Sequence, residues 1–163
     1  MRILTVPACL MLMAAPPLHS QAAPPATPSP RHWGSAPAVF PLGARMAVLS
    51  GDPAKAAPFT VELAFPPGYK IPPHFHPTAE MVTVKKGTFL VGMGDTFDAS
   101  KAKPMQVGDS GSIPANAHHF AAAKVATFVT VSAMGPFAMT YVHAADNPQK
   151  AAAKPQPFEH RQR

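Results

Sequence analysis

The stretch Gly68-Tyr69-Lys70-Ile71-Pro72-Pro73-His74-Phe75-His76-Pro77-Thr78-Ala79-Glu80, closing at Gly87, decides how the chain is read. His74 and His76 are separated by one residue, Phe75. On a strand, that spacing puts both imidazoles on one face and Phe75 on the other. Glu80 follows Pro77 and stands at the start of the next β-rich run. A turn between them is able to return its carboxylate to the same cavity. Imidazole and carboxylate together suit a divalent transition metal. A buried glutamate among apolar strands is costly without a partner, so a cation there makes physical sense.

Outward from this stretch the pattern is strand after strand. Phe59, Val61, Leu63 and Phe65 alternate with Thr60, Glu62 and Ala64, the period of a half-buried strand, and Pro66-Pro67-Gly68 ends the run. Met81–Val84, Phe89–Met93, His118–Ala123, Ala126–Ala133 and Phe137–Val142 are further β-rich runs set between Gly, Pro and Lys turns. No segment has a strong helical period. Short strands between such turns predict an all-β sandwich or barrel.

A second stretch reads Gly108-Asp109-Ser110-Gly111-Ser112-Ile113-Pro114-Ala115-Asn116-Ala117-His118-His119. It is a Gly-Asp turn, a short strand, a Pro turn, and then histidine entering the next strand. From across a barrel it is placed to supply a further ligand.

At this point the chain resembles the cupin superfamily. Gly68, His74, His76, Glu80 and Gly87 match the first cupin motif at its defining positions, and Gly108, Pro114 and His119 match the second. Two positions depart from it: Asn116 stands where the motif has glycine, and Ala123 where it ends in asparagine. Asparagine tolerates a left-handed turn better than most residues. The resemblance runs from about Val39 to Ala145 and implies a single-domain jelly-roll β-barrel. It implies that His74, His76, Glu80 and His119 hold one divalent transition metal: manganese, iron, nickel, copper, cobalt or zinc. His118, next to the ligand, then faces the other way.

The resemblance does not imply one reaction, since cupins include dioxygenases, isomerases, decarboxylases, binding proteins and sensors. Two readings follow. One is a metal-dependent oxygenase, or a related isomerase or lyase, acting on a small organic or aromatic compound, with Glu80 as the catalytic general base. The other is a cupin that binds a metal or small molecule without turnover, favoured by the lack of a second acid–base group and by Ala123.

The flanks differ from the middle. Residues 1–22 read as a secretory signal, with Arg2 before the apolar run Ile3–Ala15 and small residues at Ser20 and Ala22. That run is too short for a hydrocarbon core of about 30 Å. Residues 23–37 read as a Pro-rich linker, 38–145 as the cupin domain, and 146–163 as a disordered tail. Export to the periplasm or beyond follows, with no membrane attachment after cleavage. The only cysteine, Cys9, leaves with the signal, so no thiol remains to ligate a metal. Of the formal charge of +6, the stretch from Ala38 to Ala145 carries eight Lys/Arg against six Asp/Glu. The excess lies mostly in the flanks, without a basic stripe, so nucleic acid is not an expected partner. A small molecule is. Phe75 and Phe120, turned away from the metal, together with exposed edge strands, suggest a homodimer.

Protein recovered from its native compartment is expected to begin near Ala23. Intact mass measurement tests this, and a chain still carrying Met1 would contradict it.

Overall fold

The structure is a computed structural model that describes residues 31–151. The expected signal segment 1–22 and most of the expected tail lie outside the described residues. Eleven strands follow in chain order: β1 (Gly34–Ser35), β2 (Arg45–Ser50), β3 (Pro58–Phe65), β4 (Lys70–Phe75), β5 (Glu80–Lys86) and β6 (Phe89–Met93), then β7 (Lys103–Met105), β8 (Ser110–Ile113), β9 (His119–Ala123), β10 (Thr127–Met134) and β11 (Thr140–Tyr141). A six-stranded sheet runs β1-β2-β3-β10-β5-β8, and a five-stranded sheet runs β11-β4-β9-β6-β7. Pairing within both sheets is antiparallel. Two antiparallel sheets facing each other across one apolar core are the all-β sandwich that the strand pattern predicts and the jelly roll that the cupin resemblance implies.

The alternation in β3 does what its period requires. Phe59, Val61, Leu63 and Phe65 are buried in the core. They meet Val129 and Val131 from β10, Val82 and Val84 from β5, and Ile71, Phe89, Ala121 and Ala123 from the opposite sheet. Phe65 stacks between Phe89 (5.6 Å) and Tyr69 (4.9 Å) and fills the half of the barrel remote from the histidines. On the outer face of β3, Glu62 is also buried and forms an ion pair with Arg31 at 3.0 Å.

Four features differ from the reading of the sequence. Strand β2 has one buried residue, Ala47, and no clean alternation, and β7 contains Pro104, so neither shows a strand pattern. The run Phe137–Val142 pairs only at Thr140 and Tyr141. Of the Pro-rich stretch 23–37, residues 23–30 lie outside the described residues, and its end belongs to the fold, where Gly34 and Ser35 pair with Met46 and Arg45. Trp33 is fixed there, edge-on to Phe128 at 5.7 Å and beneath the Arg45 guanidinium.

Phe120 also finds a partner within its own chain. It is turned away from the core, as the alternation requires, but it is 2 % exposed. Phe97, from the loop after β6, covers it at 5.0 Å, and Gly92 of β6 lies against its ring. The face expected to serve a dimer is thus occupied at Phe120. A Cβ on Gly92 would fall 2.1 Å from Phe120 Cζ, so this strand position accepts only glycine without movement.

Gly92→Ala is expected to destabilise the domain by about 1–3 kcal/mol through overpacking. Urea unfolding measures it, and an unchanged midpoint would show that the Phe97–Phe120 layer yields freely.

Candidate metal centre

Each histidine is aimed by a backbone carbonyl. His74 ends the ladder of β4, whose pairing with β9 shifts register between Ile71 and His74, over Pro72-Pro73. Proline offers no N–H to a ladder, and a bulge frees the nearby carbonyl. His74 Nδ1 donates to that Pro72 oxygen at 2.8 Å. His119 repeats the device at the start of β9, where Nδ1 donates to the oxygen of Ala117, two residues earlier, at 2.9 Å. The turn before it holds Asn116 at φ 59°, the left-handed conformation expected where the motif has glycine. His76, just beyond β4, donates from Nδ1 to Ala138 O at 2.7 Å, a carbonyl from the segment before β11.

A carbonyl oxygen only accepts, so each Nδ1 carries the proton, and in the neutral ring each Nε2 keeps its lone pair. The three rings converge: His74 lies 4.1 Å from His119 and 5.1 Å from His76 between centroids. Their ligand atoms all lie within 4.8 Å of one another. Glu80, the first residue of β5, points into the same space. Its Oε1 is 3.2 Å from His119 Nε2 and 3.7 Å from His76 Nε2. All four side chains are buried.

This donor set fits a divalent transition metal on grounds of charge. A carboxylate oxygen and an imidazole lone pair, facing each other at 3.2 Å, are both acceptors. They repel unless a proton or a metal ion lies between them. Nδ1 hydrogen bonds of this kind are also the outer support that orients metal-bound imidazoles. The His74 pKa is pushed down to about 2, first by burial and then by the neighbouring His119, which outweigh the Pro72 carbonyl. Burial also lowers His76, with Glu80 and the Ala138 carbonyl opposing it. His74 and His76 therefore stay neutral in mildly acidic solution, the form in which imidazole binds metal.

The four side chains open into a cavity of about 60 Å³ between the sheets. The rest of its wall is apolar, with Phe40, Phe59, Val61, Ile71, Val131 and Phe137 among the residues that form it. A separate hollow of about 370 Å³ lies toward β7 and β8, with Lys103 and Asp109 in its wall. Val82, Val91 and Ile113 border both spaces.

The structure thus brings His74, His76, Glu80 and His119 together, and turns His118 outward. There His118 pairs with Asp95 at 2.6 Å and stacks on Phe75 at 5.0 Å. The sequence reading gave no site role to Phe40, which lies in a segment without strand period, nor to Phe137 and the Ala138 carbonyl, which it placed in a β-run that pairs only at Thr140 and Tyr141. The signal for Phe40 and Phe137 was only their apolar character between prolines and glycines.

Comparison with known proteins agrees with the fold. Residues 61–131 match the cupin domain family. No curated protein sequence matches. Among solved structures, the chain is similar to an oxalate oxidase studied for its mechanism, at 24 % identity and TM-score 0.51, over 67 % of this chain and 60 % of the other. It is similar to a recombinant oxalate oxidase in complex with glycolate, at 25 % identity and TM-score 0.50, over 67 % and 60 % of the two chains. The polyketide cyclase RemF from Streptomyces resistomycificus matches at 19 % identity and TM-score 0.52, over 69 % and 80 %. The match thus spans 60 % of the oxalate oxidase chain in each case. The stretch 61–131 is thus a cupin domain.

The metal-free protein is expected to lose stability in acid. In the unfolded chain histidine titrates near pH 6.5. Below that, the unfolded state takes up protons that folded His74 and His76 refuse, so stability falls as pH falls, and is full only above about pH 6.5. Urea midpoints of metal-free protein between about pH 7 and pH 4.5 test this. A constant midpoint would mean these rings are not buried neutral.

Proposed function

We propose that this protein is a metal-dependent cupin enzyme acting on a small organic compound, with one divalent transition metal held by His74, His76, His119 and Glu80. The supporting observation is the convergence of three carbonyl-anchored imidazoles and one carboxylate on a single point of an otherwise apolar cavity. A bound divalent ion would supply an electrophilic centre with coordination positions left open beyond its four protein ligands.

The chain's own residues supply the rest. The three Nδ1–H bonds hold the rings in place while Nε2 serves as ligand. The apolar walls exclude water and strengthen electrostatic effects at the centre. Glu80 is the acid–base group within reach: free of the metal, its carboxylate would accept a proton from a substrate in the cavity. An oxygenase is the reaction type we favour, with an isomerase or lyase as variants. Similarity to an oxalate oxidase solved with glycolate supports a small-molecule substrate.

One observation favours a second reading, binding without turnover. Among the described residues, the cavity wall beyond the four candidate ligands contains no acidic, basic or hydroxyl side chain to act as a partner acid or base.

Loading with manganese, iron, cobalt, nickel, copper or zinc should give about one ion per chain. His76→Ala with His119→Ala should abolish uptake and leave a β-rich fold. Full occupancy in that double variant would refute the site. An aerobic turnover screen of the loaded protein separates the two readings: uptake with no turnover of any small organic substrate supports the binding protein.

A further inference from the structure

The segment between β1 and β2 carries Phe40 into the barrel. It leads into the six-stranded sheet, yet its anchors are on the other sheet. Tyr141 of β11 donates its hydroxyl to Val39 O at 2.8 Å, and Tyr69, just before β4, donates to Pro41 O at 2.5 Å. These are the only two tyrosines in the sequence, and they grip the carbonyls on either side of Phe40. A turn bond from Phe40 N to Pro37 O at 2.9 Å tightens the segment. Phe40 is 5 % exposed and stacks on Phe137 at 6.1 Å with rings almost parallel. Phe137 in turn lies 5.2 Å from the ring of His76. A candidate ligand histidine, Phe137 and Phe40 thus form one continuous wall.

The space behind that wall is small. A cavity of about 60 Å³ takes a few waters or a molecule of a few heavy atoms. An apolar cavity that holds benzene measures about 150 Å³. Among the described residues, no side chain on the wall beyond the four candidate ligands can pair with a polar group, and Lys103 and Asp109 stand outside the Val82–Val91–Ile113 boundary.

We propose that Phe40, clamped by Tyr69 and Tyr141, is the size-selecting residue of the metal cavity, and that the ligand admitted has one metal-binding head and an apolar remainder smaller than a benzene ring. This rests on the metal reading above and narrows its substrate class. Truncating Phe40 opens the wall toward the segment and leaves the four ligands in place. Loosening a tyrosine anchor shifts Phe40 less.

Acetate and benzoate test this, because they share a carboxylate head and differ in a methyl or a phenyl remainder. The readout is the visible absorption of the cobalt-loaded full chain during titration with each. The wild type should favour acetate over benzoate by at least about 10-fold, a difference of about 1.4 kcal/mol. Phe40→Ala should shift that ratio toward benzoate by about 10-fold or more. Phe40→Leu, a milder change that guards against unfolding, and Tyr141→Phe should shift it in the same direction by less. A purely structural Phe40 would lower the unfolding midpoint and leave the ratio unchanged. Equal response of the wild type to both acids, or a ratio unmoved in Phe40→Ala and Phe40→Leu with cobalt retained, would overturn the size filter alone. Failure of the wild type to hold cobalt would refute the metal reading itself, and the filter with it.

Discussion

Three hydrogen bonds from histidine Nδ1 to backbone carbonyls carry the site. Without them each imidazole is free to rotate, or to present N–H in place of a lone pair to the centre, and the convergence of Nε2 atoms has no cause. The carbonyls are available because the backbone is interrupted where the ligands stand. Pro72-Pro73 breaks the ladder between β4 and β9, and Val142 N takes the Pro73 oxygen at 2.9 Å, leaving that of Pro72 for His74. The Pro114–Ala117 turn, with Asn116 in left-handed geometry, leaves the Ala117 oxygen for His119. The prolines that look like punctuation in the sequence are thus part of the centre's support.

That explains which parts were legible beforehand. The spacing of His74 and His76 forces a shared face if the segment is extended, and the structure makes it β4 with one residue beyond. Glu80 and His119 begin strands that lie in different sheets but face one cavity. The β3 alternation predicts the core-facing set Phe59, Val61, Leu63 and Phe65, because period-2 burial is a local property, but not the burial of Glu62 on the outer face. What sequence did not show is contact made by segments that lie outside the strand ladders. Ala138, Phe137 and Phe40 lie in stretches whose conformation is set by what they bridge, here the gap between two sheets. The pairing of Phe97 with Phe120 is of the same kind. Alternation says that Phe120 faces outward, but not that a loop some twenty residues earlier returns to cover it.

The same gap-closing segments tie the ligands to the cavity shape. Tyr141 pairs with His74 across the β11–β4 ladder while its hydroxyl reaches Val39. Burial raises the pKa of this hydroxyl to about 12, with Asp146 adding to the shift, so near neutrality it remains a donor. Tyr69 is raised for the same main reason, and keeps its proton for Pro41. A strand that bears a candidate metal ligand and a segment that bears a wall residue are therefore joined by bonds that ordinary pH does not break.

Two buried glutamates make the case for a cation from opposite faces of one sheet. Glu62 is 3 % exposed on the outside of β3, and Arg31 meets it at 3.0 Å as a close ion pair, although the pair lacks hydrogen-bond alignment. Glu80 is 8 % exposed on the inside of β5, at a comparable cost in lost hydration. Among the described residues no lysine or arginine reaches it, and its close polar neighbours, His76 and His119, have their Nδ1 protons committed to carbonyls. The fold supplies a guanidinium for the outer carboxylate and no permanent charge for the inner one. A carboxylate that a protein buries among lone pairs needs positive charge from elsewhere. A proton would satisfy one pair of acceptors, whereas a divalent ion satisfies the carboxylate and all three imidazoles at once.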